Sequence, residues 1–396
     1  MVSEAHQTSI GDSRLTARIH AAAEVARAHA AAVDTEARFP SEAFAEIRRQ
    51  RLLAVMLPPL LGGEAATLSA LIDACYVLGQ ACSSTALIYA MHQIKMACVV
   101  RHARGSPGIE RILRRIASEQ LLLASSTTEG QAGGNVRSSE AAIQPADDHI
   151  SLVREATVIS YALEADGIVT TARRAGDAGN SDQVLVLLLK SDYTLNKLQG
   201  WDTLGMRGTC SNGFTLRARA PAEQVLPDPY ERIHAQTMVP FAHLLWGAVW
   251  AGIAAAAVAT AQAFCRHVLG GSKGELPPGA AQVTQALSQL TALRALLATT
   301  LQRFEAIQAD EKAVASLEFQ STITLLKVQA SELAAASVMS AMRACGLSGY
   351  RNDDPFSVGR HLRDILSAPL MINNERILAN LTTASLLNPL PTSIRG

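Results

Sequence analysis

The stretch Gly200-Trp-Asp-Thr-Leu-Gly-Met-Arg-Gly-Thr-Cys-Ser-Asn-Gly-Phe214 carries four glycines near the middle of the chain. Glycine allows sharp turns and close backbone approaches, so this stretch predicts neither a regular helix nor a continuous strand. One interpretation is a turn-rich crossover between two strands. The other is a polar rim around a ligand with a negative or carbonyl-rich edge, to which the guanidinium of Arg207 and the hydroxyls of Thr209 and Ser211 would contribute.

Composition indicates a globular chain of balanced charge. The 396 residues are 48% hydrophobic and 18% charged, with 35 basic and 35 acidic side chains, and this length corresponds to about two or three domains. Balanced charge argues against a nucleic-acid or membrane-surface partner. Six scattered cysteines without a C-x-x-C pair indicate neither a disulfide framework nor a metal site. With a polar N-terminus over 1–16, they favour a cytoplasmic protein without a signal peptide.

One segment, 244–261, has eighteen residues without a charge. Its length is close to that of a membrane-spanning helix. Most of its residues are alanine and glycine, and no cluster of Lys or Arg flanks it. We therefore predict a fully buried helix at the centre of a bundle rather than a membrane span.

The order of the periodic segments is helical, then β, then helical. Helical spacing is found up to about residue 103, with a break around 82–84, and again from about residue 239. Between them, alternating apolar runs predict a small antiparallel barrel or sandwich; these runs are 121–125, 150–153, 157–159, 168–172, 184–189 and 214–218. The predicted C-terminal helices are 280–309, 313–345, ended by Gly346, and 374–387. No G-x-G-x-x-G or P-loop motif is present, so a nucleotide cofactor would not bind in the Rossmann manner.

Four short motifs outside the central stretch are informative together. They are Thr128-Glu-Gly-Gln-Ala-Gly-Gly-Asn135, Ile159-Ser160 with Asp166 after it, Gly346-Leu-Ser-Gly-Tyr350, and Arg363-Asp364. With the central Gly-Met-Arg-Gly-Thr-Cys-Ser, this series resembles the acyl-CoA dehydrogenase superfamily of flavoproteins. The resemblance covers nearly the whole chain in the superfamily's own order.

The resemblance implies an α+β fold with a helical N-terminal domain over 1–118, a middle β-barrel over 119–230 and a C-terminal four-helix bundle over 231–396. It also implies FAD at the domain junction and a homo-oligomer, either a tetramer or a dimer. Thr127 and Thr128 would contact the flavin pyrimidine edge, and Ser160 would lie near flavin N5, where a donor stabilises the reduced ring. Arg207 and Thr209 belong to the strand loop that the superfamily has beside the flavin.

The chain departs from the superfamily at the catalytic base. The usual glutamate lies eight residues after the Asp of Arg-Asp, and this chain has Ile372 there. An isoleucine side chain cannot remove the α-proton of an acyl thioester. The candidates for a displaced base are His243, which adjoins the alternative position in the Ala-rich helix, Glu375, three residues too late, and His92.

Three functions are consistent with these residues. The first, slightly favoured, is a dehydrogenase that oxidises an acyl thioester, bound to CoA or a carrier protein, by α-proton removal and hydride transfer to flavin N5. The second is a monooxygenase of the same fold that uses reduced flavin and O2, with His92 or His243 near the flavin. The third is a flavin-binding partner subunit without turnover. An electron acceptor or a flavin reductase would be a partner of either enzyme.

Overall fold

The computed structural model describes residues 2–103, 105–129, 137–271 and 275–387. Five helices form the N-terminal part: α1 Val2–Thr35, α2 Ser41–Arg49, α3 Leu68–Ala81, α4 Ser83–His102 and α5 Pro107–Glu119. The predicted break around 82–84 is the boundary between α3 and α4, where Cys82 is extended. Seventeen of the side chains of α4 are buried, so this helix lies in the interior rather than against solvent.

Seven strands form two small sheets in the middle of the chain. They are β1 Leu123–Ser126, β2 Gln144–Ala146, β3 His149–Ala156, β4 Gly167–Arg173, β5 Gln183–Leu189, β6 Tyr193–Gln199 and β7 Gly213–Pro221. The sheet orders are β1-β4-β5 and β2-β3-β7-β6. The β1–β4 pair is parallel, so the prediction of an antiparallel middle part is wrong for these two strands. No strand forms at 157–159, because Ile159 N donates to Asn212 O at 2.8 Å and the chain then turns.

The C-terminal part is helical, as predicted. Its elements are α6 Tyr230–Ile233, a π-helical segment His234–Met238, α7 Val239–Gly271, α8 Ala281–Ile307, α9 Glu311–Ala315, α10 Leu317–Tyr350, α11 Gly359–Ile365 and α12 Asn374–Leu387. Gly346 has φ 57° and ψ −131°, so it interrupts α10 where the sequence predicts a helix end. One further helical turn follows it. The division into three domains at 118/119 and 230/231 stays a prediction.

The apolar helix is the core helix of this bundle. The continuous helical segment Tyr230–Gly271 is long and apolar enough to cross a membrane by length and composition, but 72% of its most apolar window is buried inside the protein. It packs closely on α3. A Cβ on Gly252 would lie 2.4 Å from Tyr76 O, so only glycine allows the two backbones to approach this far.

Candidate functional site

A cavity of about 590 Å³ lies where the three parts of the chain meet. The end of β1, the turn at 157–160 and the glycine-rich stretch line one side. The other side comes from α4, α7 and the segment 366–372, which joins α11 to α12. The glycine-rich stretch 200–214 therefore forms part of a cavity wall.

Close packing on α11 fixes the shape of the glycine-rich stretch. A Cβ on Gly205 would lie 2.1 Å from the Arg363 carbonyl oxygen, so a larger residue there would separate the two segments. Met206 N donates to Asp364 Oδ1 at 2.7 Å, and Arg363 Nη1 donates to Leu204 O at 3.0 Å. Arg363 also pairs with Asp34 at the end of α1. The Arg-Asp motif thus joins the central loop to both helical parts.

Arg207 does not reach the cavity. Its Nε donates to Asp34 O at 2.9 Å, and its Nη1 donates to Thr203 O at 3.2 Å. The expectation that its guanidinium forms a ligand rim is wrong for this geometry, because the side chain anchors the loop to α1. Sequence spacing could not show this, since Asp34 lies far away along the chain.

Three hydroxyls at the cavity wall form a relay with a defined direction. Thr209 Oγ1 donates to Met206 O at 2.9 Å, so it must accept from Ser211 Oγ, which lies 2.8 Å away. Ser211 has then used its one proton, so Ser160 Oγ, at 2.8 Å, donates to Ser211. Ser160 therefore offers the cavity its lone pairs. This is the reverse of the donor that the resemblance implies.

The other predicted cofactor contacts face the same cavity. Thr127 and Thr128 both line it, beside Ser160. Thr209 also lines it, although its proton is committed to Met206 O. Residues 130–135 of the motif that begins at Thr128 lie outside the described residues.

Two further cavities adjoin the first. A narrow cavity of about 80 Å³ shares Thr127, Trp246 and Ile372 with the 590 Å³ cavity. It shares His234 and His243 with an outer pocket of about 820 Å³. The narrow cavity therefore lies between the large cavity and the outer pocket.

His243 combines burial with an available ring nitrogen. It is 4% exposed, and its Nδ1 lies 2.8 Å from Ile323 O, to which it can only donate. Burial lowers the pKa of His243 to about 4, so the ring is neutral near pH 7. Its Nε2 then carries a lone pair, which can accept a proton. Of the three candidates for a base, His243 is the one that lines any of these three cavities.

His92 and Glu375 are placed elsewhere. His92 Nε2 donates to Leu53 O at 2.7 Å, while Nδ1 accepts from Leu123 N at 3.0 Å. Both ring nitrogens are thus occupied by backbone groups, and His92 joins α4 to β1. Glu375 is exposed in the first turn of α12 and lines none of the three cavities. In this geometry neither residue can act as a base at these cavities.

Sequence reasoning missed three side chains of the narrow cavity. The π-helical segment carries His234 and Met238, which both line it; such segments are frequent at functional sites. Lys95, on α4, also lines the cavity. A lone lysine in a long apolar helix was the available signal, because lysine is rarely buried without a partner.

Ile372 lines all three cavities and has a left-handed backbone, with φ 55°. A β-branched residue in this region is an outlier that surrounding structure must hold in place. The superfamily's usual base position is therefore present as a wall residue, without its carboxylate.

Two family models match the chain. The model described as the N-terminal domain of acyl-CoA dehydrogenase matches residues 12–120, and the model described as its C-terminal domain matches residues 244–370. The chain belongs to the acyl-CoA dehydrogenase superfamily. This confirms the resemblance and the fold class that the motifs imply.

Individual superfamily members differ in what they do. The probable acyl-CoA dehydrogenase YngJ of Bacillus subtilis is 26% identical over 344 residues, which cover 85% of this chain and 87% of YngJ. The L-evernosamine nitrososynthase of Micromonospora is 26% identical over 362 residues, which cover 87% of this chain and 82% of that protein. TdsC from Paenibacillus sp. A11-2, in its structure with FMN and indole, has a TM-score of 0.84 at 18% identity, over 96% of this chain and 98% of TdsC.

Proposed function

We propose that this superfamily member is a monooxygenase that uses a reduced flavin and O2 to oxygenate a small substrate. The observation that carries the proposal is the lack of any Asp or Glu among the described residues around the 590 and 80 Å³ cavities. The residues outside the described ranges include no Asp or Glu either. Thioester dehydrogenation needs a base at the substrate α-carbon, whereas oxygenation does not need that carboxylate.

The large cavity fits a flat ring system with one polar edge. Its volume of about 590 Å³ falls within the range of about 300–1,000 Å³ typical of small-molecule sites. Leu87 and Met91 supply apolar surface on one wall, while Thr127, Thr128 and Ser160 supply polar atoms on another. These residues would hold a flavin ring, with Ser160 as acceptor for an N–H group at its edge.

When bound, a reduced flavin supplies two electrons, which with O2 and two protons convert a substrate into its oxygenated form and water. The chain's own residues handle the proton and the solvent. His243 Nε2 would accept a substrate proton in the narrow cavity. Met238 and Ala242, which also line that cavity, would exclude water from the reacting atoms.

Relatives support both this proposal and a second candidate. TdsC is described as a dibenzothiophene monooxygenase, in line with oxygen chemistry. YngJ is described as a dehydrogenase, so an acyl-thioester dehydrogenase with His243 as a displaced base is the alternative. The third possibility, which the experiment must also distinguish, is a flavin-binding subunit without turnover.

Two measurements on the purified full-length protein separate these functions. Under anaerobic conditions, a panel of acyl-CoAs is added to the flavin-loaded protein while its absorbance is followed. In parallel, the protein with chemically reduced FMN is mixed with ¹⁸O₂ and indole, and the product is analysed by mass spectrometry. We expect no bleaching and one ¹⁸O atom in the product. Bleaching by an acyl-CoA would establish the dehydrogenase instead. If no acyl-CoA bleaches the flavin and no ¹⁸O enters the product, the result would favour the partner subunit.

A carboxylate introduced at position 372 tests whether its absence is the reason that acyl-CoAs should not bleach the flavin. The Ile372→Glu variant places a base at the superfamily's usual position, so we expect slow flavin bleaching by an acyl-CoA that leaves the unmodified protein oxidised. Ile372→Gln is the matched control, because the glutamine side chain has nearly the same shape as glutamate and cannot act as a base. Equal bleaching by both variants would show that the missing carboxylate is not the reason.

Ser160→Ala should alter the preference for the reduced flavin. Because Ser160 offers lone pairs, it can accept from an N–H group that the ring carries only when reduced. Loss of one neutral hydrogen bond should weaken binding of reduced flavin about fivefold more than binding of oxidised flavin. The flavin midpoint potential of Ser160→Ala measures this difference. Ser211→Ala provides a comparison, because Ser160 there no longer donates to Ser211 and has a free proton. An unchanged potential in Ser160→Ala would remove Ser160 from the flavin edge.

We further propose a flavin that is FAD, or FMN as in the TdsC structure, together with a tetrameric or dimeric assembly in the cytoplasm. Chromatography of the flavin released from the purified protein identifies the cofactor. Light scattering coupled to size exclusion gives the oligomeric state. A monomer would contradict the assembly proposed here.

A further inference from the structure

The narrow cavity contains a buried positive charge without a negative partner. Lys95 is 3% exposed, and the only acceptor it has in the described part of the chain is Met238 Sδ, 3.0 Å from Nζ. A thioether is a weak acceptor that carries no charge. Lysine is almost never fully buried unless it is paired, so this ammonium group lacks a counter-ion that its surroundings require.

Two more donors around the same cavity also lack acceptors. Tyr230 Oη and Trp246 Nε1 are buried and form no hydrogen bond with any described residue, and both residues line the cavity with Lys95. Burial raises the pKa of Tyr230 above its usual value, so its phenol keeps its proton. Native proteins satisfy most buried polar groups. Two unsatisfied donors, and an ammonium group bonded only to a thioether, therefore indicate that this cavity accepts a ligand with an acceptor oxygen.

The described lining of the cavity also includes one lysine and no carboxylate. Burial first, and then the positive charges of Arg137 and Lys95 and the ring of His243, lower the pKa of His234 to about 3. A volume of about 80 Å³ is larger than the share of about 30 Å³ that one water occupies in the liquid, so it admits an oxygen-bearing group.

We propose that Lys95, Tyr230 and Trp246 form an oxyanion-binding subsite that selects substrates with an anionic oxygen, a carboxylate or a phenolate, on an apolar body. The outer pocket of about 820 Å³ takes the part of the molecule that the narrow cavity cannot hold. The substrate role rests on the proposed oxygenation. Anion binding itself does not, because it requires neither flavin reduction nor O2.

Calorimetric titration of the full-length protein tests the subsite with three probes: benzoate, 4-nitrophenolate and the neutral benzamide. We expect at least one anion to bind about tenfold or more tightly than benzamide, as for hydrogen bonds to charged groups. The tighter anion identifies the type of oxygen. Lys95→Met should abolish this preference and leave benzamide binding unchanged, and Tyr230→Phe should reduce it. Lys197→Met, at an exposed lysine of β6 that lines neither the narrow cavity nor the outer pocket, is the matched control.

Equal binding of the anions and benzamide by the unmodified protein would overturn the subsite, and so would an anion preference retained in Lys95→Met. Lys95→Gln replaces that variant if it fails to fold. If anion binding is confirmed and no ¹⁸O is incorporated into any probe, the subsite stands while the proposed oxygenation fails.

Discussion

Replacing Lys327 by methionine is expected to lower the free energy of unfolding by about 3 kcal/mol and to weaken flavin binding at the same time. Lys327 is fully buried on α10. Its Nζ donates to Ala368 O at 3.0 Å and to Asn374 Oδ1 at 2.6 Å. Methionine fills a similar volume but leaves both of these buried oxygens without a donor.

The effect should reach the 590 Å³ cavity, where we propose that flavin binds, because Lys327 holds the segment that forms part of its wall. Residues 366–372 line the cavity, and they lie between α11 and the Lys327 partner Asn374. Asn374 Nδ2 in turn donates to Glu332 Oε1 at 2.8 Å. Loss of the ammonium group therefore removes the central member of a network that fixes this segment against α10.

Urea unfolding and a fluorescence titration with FMN measure the two effects. Lys312→Met provides the comparison, because that lysine is exposed and surface substitutions usually change stability by less than about 0.5 kcal/mol. A Lys327→Met variant with the stability of the control would show that the network contributes nothing measurable. Normal stability with weakened FMN binding would limit its role to the cavity wall.

Replacing Lys95 by methionine is expected to have the opposite effect and to raise the free energy of unfolding. Burial lowers the pKa of Lys95 from 10.5 to about 8. Because one pKa unit corresponds to about 1.4 kcal/mol, the charged form destabilises the folded state by about 3 kcal/mol. Methionine removes this charge and packs beside Met238, so we expect a gain of about 2 kcal/mol at pH 7.

The gain should depend on pH in one direction. Below about pH 8, Lys95 is charged in both the folded and the unfolded states, so the destabilisation is present in full. As the pH rises from about 8 towards 10.5, the folded state loses this proton first and the penalty disappears. The difference in unfolding free energy between Lys95→Met and the unmodified protein should therefore shrink over this interval. A constant difference would contradict the assigned cause.

Both lysines are buried, at 3% and 0% exposure, and burial lowers both pKa values to about 8. They differ in their acceptors: Lys327 has a carbonyl and an amide oxygen, whereas Lys95 has a sulfur atom. A charge retained without compensation is typical of a site that reserves it for a ligand. The opposite signs of the two substitutions would therefore separate a structural lysine from a binding one.

Much of the fold could be predicted because it depends on local patterns. The last helix, 374–387, was predicted at its observed bounds, since apolar periodicity and flanking residues are adjacent in sequence. The strands β2 and β6 were missed because both are polar and exposed, so they lack the alternating apolar pattern. The short run 157–159 alternates like a strand, but the turn at Ser160 prevents pairing.

The sequence by itself determined the superfamily, the order of helical and β parts, and the absence of the usual glutamate at Ile372, because each depends on residues adjacent in the chain. Only the tertiary structure decided that Arg207 faces Asp34 and that His92 has no free nitrogen. It also brought Lys95, Tyr230 and Trp246 to one cavity and fixed the direction of the Ser160 relay. Hydrogen bonds and burial join residues far apart in the chain, and these contacts decide what each side chain can still bind.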